Sequence, residues 1–289
     1  MGPKLLQQHY YGSLQNHFVL LDFTAVSLTD TAVRLKSCVF AHQVRLIIQQ
    51  STPIRIDGIL ALTQTETCED PTAHVFNPDG TDGEFCGNGI RCIAYHLMKN
   101  TSLTQLAIQM SGHTIRCHKQ AQAIIAADIS HARYHYKFKR IVSGVSYVFH
   151  RVSVGNPHLI CFAPISSEAL NQLGPVLRLH QGEQHNVSFV WPGQQSGVYH
   201  LITYERGLGL SHSCGSAAVA SACALNVHQR LAPATTLIFK MPGGQASCIC
   251  FSTKIRLSAP VRSICQPSPC ALMNLALHDK FHQKKDVFL

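Results

Sequence analysis

The sequence predicts an α+β fold with two similar halves, each built from strands and one central helix. Short runs with strand-like alternation, separated by Gly, Pro and Asn, fill most of the chain. Two segments read instead as helices, and a Cys-Gly pair precedes each of them, Cys86-Gly87 and Cys214-Gly215. This repetition favours a duplicated plan, and we expect the halves to join near residues 128–140.

The predicted strands are short and alternate apolar with polar side chains. The clearest are Phe18–Phe23, Arg45–Ile48, Ile124–Ile129, Tyr147–Val154, Val187–Val190, Tyr199–Tyr204 and Thr236–Lys240. Residues 133–140 (RYHYKFKR) alternate aromatic with basic side chains. A nucleic-acid-binding stripe could look like this, but the period of two favours a strand with one buried and one solvated face.

The two predicted helices differ in character. Ile90–Lys99 carries its apolar residues on one face, which is typical of a helix that packs on a sheet. Ala217–His228 has small residues almost all round, so we expect it to be buried among strands. We assign residues 1–130 to a first domain, to which residues 258–289 return, and residues 131–257 to a second.

Composition excludes several classes of protein. Of the 289 residues, 46% are hydrophobic, which is a globular and not a disordered composition. The net charge of +9 comes from 24 Lys and Arg against 15 Asp and Glu, and the basic residues are scattered, so no nucleic-acid partner is expected. No apolar run approaches a membrane span, and the N-terminus lacks a secretory signal, so we expect a cytoplasmic protein with no membrane partner. Its 12 cysteines should then be thiols.

The two Cys-Gly pairs carry the chemistry. A thiol at a helix N-terminus lies at the positive end of the helix dipole, which lowers its pKa, and the free N–H groups of the first turn can hold a carboxylate. One such site indicates a nucleophile or an anion pocket. Two sites, one in each half, would allow proton removal from one face of a carbon and proton delivery to the other. Spacing alone does not prove this, because Cys is among the most buried residue types.

Longer motifs around both pairs carry a family resemblance. Residues 77–92 (NPDGTDGEFCGNGIRC) resemble the first signature of the diaminopimelate epimerase family, and residues 205–216 (ERGLGLSHSCGS) resemble the second. Residues 155–158 (GNPH) and Asn186 are similar to two motifs between them, and residues 242–244 (PGG) and 258–260 (SAP) to two later turns. The resemblance runs in collinear order over roughly residues 14–264.

This resemblance implies two pseudo-symmetric α/β domains, each a barrel-like, mainly antiparallel sheet around a central helix. It also implies a racemase or epimerase that needs no cofactor and no metal, with an amino-acid substrate, diaminopimelate, bound between the domains. Cys86 and Cys214 would be the acid–base pair, and His158 and Glu205 would set which of them is deprotonated. We also expect a homodimer.

The resemblance likewise implies the substrate-binding residues. Gly87, Asn88, Gly215 and Ser216 would hold the reacting carboxylate. The distal end of the substrate would be held by Asn77, Asn156, Asn186 and Arg206, with Glu205 and Asn16 also contributing to the pocket. Arg206 suits a second carboxylate because its planar fork binds such anions in bidentate fashion.

Two segments depart from the family pattern. Gln15-Asn16-His17-Phe18 stands where the family has Gly-Asn-Asp-Phe, and Asp57 is followed by Gly58 where the family has Gln. Because Gly58 lacks the Gln side chain, the sequence leaves open a looser pocket and a shifted specificity, for example a glutamate racemase. A catalytically silent binding homologue is a third interpretation. The joint presence of both cysteines, Glu205 and His158 argues against it.

The C-terminal segment contains a pattern that superficially resembles a zinc site, formed by Cys265, Cys270, His278 and His282. Its spacing is not that of a zinc finger and favours an appended tail at 265–289.

Overall fold

The computed structural model describes residues 7–24, 35, 37–51, 53–65, 68–121 and 123–265, in which four helices and nineteen strands are found. The helices are α1 (Cys38–Gln50), α2 (Gly87–Met98), α3 (Ser167–Leu177) and α4 (Gly215–Gln229). The strands are β1 (Gln7–Ser13), β2 (Asn16–Asp22), β3 (Gly58–Thr65), β4 (Cys68–Phe76), β5 (Gln105–Met110), β6 (His113–Ala121), β7 (Ile124–Ile129), β8 (Arg133–Val142), β9 (Val145–Ser153), β10 (Pro157–Cys161), β11 (Leu179–His180), β12 (Glu183–Gln184), β13 (Asn186–Pro192), β14 (Val198–Glu205), β15 (Gly209–Ser211), β16 (Thr235–Met241), β17 (Gly244–Cys250), β18 (Ile255–Pro260) and β19 (Arg262–Ser263).

Seventeen of these strands belong to one mixed sheet, and β11 and β12 form a separate hairpin. From β1 to β7, successive neighbours pair antiparallel, parallel, antiparallel, parallel, antiparallel and antiparallel. The series β9, β10, β13, β14, β16, β17 and β18 pairs in the same order. Strand β18 then pairs with β7 and joins the two series. The mostly sheet, mixed α/β architecture agrees with the predicted fold class.

Each parallel pair of strands is bridged by one of the four helices, because parallel neighbours need a crossover connection. Helices α2 and α4 share the largest apolar core. Ile90, Ile93 and Met98 of α2 are fully buried there. Ten residues of α4 are buried, on all sides of the helix. The prediction that this small-residue helix lies among strands is therefore confirmed.

The structure corrects one predicted strand and adds two helices. Arg45–Ile48 was predicted as a strand but lies within α1. Phe40, Val44 and Ile47 are the buried side chains of α1, and their spacing of four and three residues is the helical period. The β-branched pair at its end made the shorter segment read as a strand. Helix α3 was not predicted; its N-cap is Ser166, whose Oγ accepts a hydrogen bond from the N–H of Ala169 at 3.1 Å.

Strand β8 has the predicted alternation, since its residues are exposed and half-buried in turn along its whole length. Strand β7 has the predicted bounds. Among the described residues, no helix has both the length and the apolar character needed to cross a membrane. The tail at 266–289, which includes Cys270, His278 and His282, lies outside the described residues.

Candidate active site

Each of the two motif cysteines is the N-cap residue of a central helix. Cys86 precedes α2, and its Sγ accepts a hydrogen bond from the N–H of Gly89 at 3.3 Å. Cys214 precedes α4, and its Sγ lies 3.3 Å from the Oγ of Ser216. Because the first N–H groups of a helix have no partner within the helix, both sulfurs lie beside donors that can hold a carboxylate.

The N-terminal ends of α2 and α4 meet at two glycines. A Cβ atom on Gly87 would lie 3.1 Å from the carbonyl carbon of Gly215, and one on Gly215 would lie 3.2 Å from that of Gly87. Both distances are too short for a side chain to be added without movement of the backbone. The glycines therefore allow the two helix ends, and the cysteines before them, to approach each other.

Both cysteines line one cavity of about 870 Å³, which is within the range of small-molecule sites. The sequence-predicted residues that line it are Cys86, Cys214, Asn16, Asn77, Gly87, Asn88, Asn156, Asn186, Glu205, Arg206, Gly215 and Ser216. Residues far apart in the sequence are thus brought together, and of the predicted site residues only His158 lies outside the lining.

The pKa of neither thiol follows the expectation from the helix dipole. Burial raises the pKa of the Cys86 thiol to about 11, although the N–H of Gly89 acts in the opposite direction. Burial also raises the pKa of Cys214 well above its ordinary value. Loss of water therefore outweighs the dipole, and both cysteines are neutral thiols at pH 7.

Glu205 distinguishes the two thiols electrostatically. Burial raises the pKa of its carboxyl group. Its charge raises the pKa of both thiols, and a short-range interaction with the Cys214 thiol raises the pKa of that group further. Cys214 consequently holds its proton more tightly than Cys86.

His158 is fully buried behind Ser216. Its Nε2 lies 3.1 Å from both Ser216 Oγ and Asn156 Oδ1, while its Nδ1 has no hydrogen-bond partner among the described residues. Burial lowers its pKa to about 3, so the ring is neutral at pH 7. The structure thus links His158 to Cys214 through the hydroxyl group of Ser216.

Three of the predicted asparagines hold the two cysteine loops in place. Asn88 Nδ2 donates to Ser213 Oγ at 3.0 Å, and Asn16 Nδ2 donates to the Ser213 carbonyl oxygen at 3.2 Å. Asn156 Nδ2 donates to Ser216 Oγ at 3.4 Å. Ser213, which sequence reasoning did not single out, therefore joins the loop before Cys214 to both β2 and α2.

The far side of the cavity carries charged and amide groups. Asn186 Oδ1 accepts a hydrogen bond from the N–H of Arg206 at 2.8 Å. Arg206 Nη2 lies 2.7 Å from Glu84 Oε2, so this guanidinium is already paired. Asn77 Nδ2 donates to Thr81 Oγ1 at 3.0 Å.

Two further arginines line the cavity and were not predicted. Arg55 pairs with Asp57, with 3.4 Å between Nε and Oδ1. Arg178 follows α3, and its side chain has no hydrogen bond or ion pair within the described part of the chain; its Nε is buried. Glu84 and Asp57 stood within the quoted segments, whereas Arg178 carries no sequence signal.

The structure removes the basis for a looser pocket. Gly58 is buried, and a Cβ atom there would lie 2.9 Å from the carbonyl oxygen of Phe76, so its lack of a side chain opens no space. Neither Gly58 nor His17 lines the cavity. The N–H of His17 instead donates to Asp57 Oδ2 at 2.9 Å, and its Nδ1 lies 3.2 Å from the Arg55 carbonyl oxygen.

Within the described ranges, no group of three or more His, Cys, Asp or Glu residues is arranged to hold a metal ion. The zinc pattern considered in the sequence includes residues beyond 265 and is not covered by this statement.

Comparison with known proteins identifies the family. The diaminopimelate epimerase of Wolbachia sp. subsp. Brugia malayi is 30% identical over 206 residues, which cover 65% of this chain and 78% of that protein. The diaminopimelate epimerase of Legionella pneumophila strain Lens is 28% identical over 90% of this chain and 96% of that protein. This chain belongs to the diaminopimelate epimerase family. Membership makes it an isomerase of the epimerase and racemase type. No family model matches the sequence.

Solved structures agree on the fold. A probable proline racemase from Agrobacterium radiobacter K84 superposes with a TM-score of 0.73, covers 94% of each chain and is 10% identical. A hydroxyproline epimerase from Agrobacterium vitis superposes with a TM-score of 0.68 at 10% identity, over 91% of this chain and 90% of that one. At this identity the likeness concerns the architecture alone.

Proposed function

We propose that this chain interconverts LL- and meso-2,6-diaminopimelate by a two-base mechanism in which the sulfurs of Cys86 and Cys214 exchange a proton with the α-carbon. One observation carries the proposal: two cysteines, each at the N-terminus of a central helix, line one cavity. The family names support the same reaction and substrate. By extension we expect a role in lysine and peptidoglycan precursor synthesis, a cytoplasmic location and a homodimer.

The carboxylate of the substrate lies at the meeting point of the two helices. Backbone N–H groups at Gly87, Asn88, Gly215 and Ser216 hold it there and stabilise the negative charge that develops when the α-proton leaves. This stabilisation is essential because the α-proton of an amino acid is very weakly acidic. A cavity that excludes water strengthens it further.

Two protons move, one on each face of the α-carbon. The Cys86 thiol first loses its proton to solvent; the thiolate that forms removes the α-proton and becomes a thiol again, while the Cys214 thiol gives its proton to the opposite face and becomes a thiolate. Glu205 supports this assignment because it raises the pKa of Cys214, which favours the protonated form of that thiol. In the reverse direction the roles exchange. Both proton transfers use groups of the chain, so the proposed reaction needs no cofactor.

The fold of two pseudo-symmetric domains, 1–130 with a returning C-terminal segment and 131–257, is part of this proposal. The repeated order of strand pairing supports it, as does the position of one cysteine-capped helix in each series. A cleft between such halves would place one sulfur on each wall.

The broader alternative, a racemase of a shorter acidic amino acid such as glutamate, has lost its main support because Gly58 opens no space. A panel of amino acids incubated with the protein in deuterated water decides between the two. We expect α-deuterium in diaminopimelate and none in glutamate. Exchange only into glutamate would overturn the proposed substrate, and exchange into neither would overturn the epimerase proposal.

The mechanism is tested by replacing each sulfur in turn. Cys86→Ser and Cys214→Ser should each lower kcat for epimerisation by about 10³-fold or more, because a serine hydroxyl is a far weaker acid than a thiol. Cys223→Ala in α4 is the matched control, since this half-buried cysteine does not line the cavity. Near-normal turnover by either serine variant would contradict the two-sulfur mechanism.

A further inference from the structure

Arg91 is the largest fully buried side chain among the described residues, with 0% of its surface exposed. It lies in the first turns of α2, five residues after Cys86, and does not line the cavity. A guanidinium in such a position is costly, because an ion taken out of water loses its hydration. The groups around Arg91 therefore need to compensate for its charge.

Hydrogen bonds satisfy part of the guanidinium. Nη1 donates to the Gly87 carbonyl oxygen at 2.7 Å. Nη2 donates to Asn88 Oδ1 at 2.6 Å and to Ser13 Oγ at 3.0 Å. Nε has no partner among the described residues. All three acceptors are neutral, so these bonds orient the side chain without balancing its charge.

No carboxylate pairs with Arg91 in the described part of the chain. The ionisable groups that act on it electrostatically are four thiols, those of Cys92, Cys86, Cys248 and Cys117. Three of these are fully buried core residues, and only Cys86 lines the cavity. The negative charges that can balance Arg91 are therefore the Cys86 thiolate and a carboxylate bound at the helix ends.

Arg91 also connects the two cysteine loops. It holds the oxygen of the Asn88 amide, while the nitrogen of that amide donates to Ser213 Oγ at 3.0 Å. Ser213 immediately precedes Cys214 and also donates to the carbonyl oxygen of Leu14 at 2.7 Å. A single chain of hydrogen bonds thus runs from Arg91 through Asn88 to the residue before the second cysteine.

We propose that Arg91 is a positioning residue whose unbalanced buried charge stabilises the Cys86 thiolate and the bound substrate carboxylate, and whose planar fork fixes the two cysteine loops relative to each other. The inference rests on the two-cysteine reaction proposed above. Among the described residues, Glu205 on β14 and Arg91 are the charged groups that act on the Cys86 thiol, and they act in opposite directions. The thiols of Cys92 on α2 and of Cys214 in the same cavity are neutral. Arg91 thus offsets Glu205.

The test measures the thiol of Cys86 without substrate, so it does not depend on which amino acid the enzyme accepts. The rate of Cys86 alkylation by iodoacetamide is followed against pH, with Cys86→Ser as the blank for other thiols. Three variants are compared with the unaltered chain: Arg91→Met removes the charge, Arg91→Lys keeps it without the fork, and Ser13→Ala removes one hydrogen bond while leaving Arg91 in place.

Arg91→Met should shift the alkylation profile upward by about one pH unit, so that the rate at a fixed pH falls about tenfold. Arg91→Lys and Ser13→Ala should keep the profile of the unaltered chain. For epimerisation, Arg91→Lys should lower kcat about tenfold, because a lysine ammonium lacks the planar fork that holds the Gly87 carbonyl and the Asn88 amide together. Circular dichroism and thermal melting confirm that each variant is folded.

An unchanged alkylation profile in folded Arg91→Met would overturn the electrostatic role. Should Arg91→Met fail to fold, Arg91→Lys decides: an unshifted profile with a lowered kcat supports the proposal, and a shifted profile or an unchanged kcat overturns it. Absence of epimerisation by the unaltered chain would instead count against the proposed function, which keeps the two failures distinct.

Discussion

At the scale of single residues, two opposing influences act on the sulfur of each motif cysteine. Its place at a helix N-terminus favours the thiolate, whereas burial favours the thiol, and burial dominates for both Cys86 and Cys214. In the proposed reaction, ionisation of the Cys86 sulfur therefore depends on a nearby cation such as Arg91.

Charge pairing predicts which arginine receives the distal end of the substrate. Arg55 and Arg206 pair with Asp57 and Glu84, whereas Arg178 has no partner within the described residues. Arg178→Gln should therefore raise KM for diaminopimelate about tenfold with kcat within about twofold, because the interaction is made equally in the ground and transition states.

Steady-state kinetics check this expectation, with Arg133→Gln as the control. Arg133 is exposed on β8 and outside the cavity, so its replacement should change neither constant. A KM that stays the same in Arg178→Gln would show that this side chain does not bind substrate.

At the scale of elements, the contact between α2 and α4 sets the geometry of the site. Each helix is buried in the common core and begins at a glycine that faces the other glycine. The cysteines and the N–H groups proposed to hold the substrate carboxylate belong to these two helix ends, so displacement of one end moves a sulfur and its neighbouring donors together. We therefore expect the packing of the helix ends to affect the rate of the proposed reaction.

Gly215→Ala tests this coupling. The added Cβ would lie 3.1 Å from Asn88 Oδ1 and 3.2 Å from the Gly87 backbone, so the helix ends must separate. We expect a loss of stability of about 1–3 kcal/mol from overpacking, together with a drop in kcat of at least about tenfold.

Gly182→Ala is the comparison variant, measured by the same melts and kinetics. Gly182 has φ of +79° and nothing within 4 Å of its added Cβ, so alanine there introduces backbone strain alone. It should lose stability and keep kcat. If Gly215→Ala and Gly182→Ala had the same kcat, the packing of the two helix ends would not affect the rate of the reaction.

At the scale of the whole molecule, β18 joins the two series of strands by pairing with β7. Asp128 on β7 reinforces this junction, because Arg256 Nε and Lys254 Nζ lie 2.6 and 2.7 Å from its carboxylate oxygens. His118 Nε2 on β6 lies 3.0 Å from the same carboxylate. One buried acid thus ties the C-terminal strand to the N-terminal series.

These partners hold the pKa of the Asp128 carboxyl well below its usual range. A carboxyl whose pKa is depressed on folding contributes stability above its unfolded pKa of about 4, and this contribution is lost as the pH falls toward the folded value. Asp128→Asn should therefore lower the free energy of unfolding by about 2 kcal/mol at pH 7, since its partners are partly exposed. The deficit relative to the unaltered chain should shrink below about pH 4.

Chemical denaturation at several pH values measures this difference. Asp70→Asn is the control, because the Asp70 carboxylate accepts one hydrogen bond, from Gln109 Nε2 at 3.3 Å. A deficit for Asp128→Asn that does not change between pH 7 and pH 3 would contradict an ionic origin.

The sequence by itself determined the two central helices, the cysteines that cap them and most of the strands between them. These features are local: a cap, a glycine turn and a hydrophobic period are each contained within a few residues. Residues 45–48 are an exception, because they were predicted as a strand and lie in α1. The helical spacing of the buried residues of α1 is recognised only when the segment is extended back to Phe40. Nine of the predicted cavity-lining residues come from the two cysteine motifs, and three, Asn16, Asn156 and Asn186, come from shorter segments elsewhere in the chain.

Only the tertiary structure decided how these residues act on one another. Gly58 packs on a backbone carbonyl instead of enlarging the pocket, Glu84 pairs with Arg206, and Arg178 reaches the cavity from the end of α3. The physical reason is that burial and charge pairing depend on groups distant in the chain. Desolvation reversed the expected effect of the helix dipole on both thiols, because the degree of burial is a property of the folded whole and is not contained in any motif.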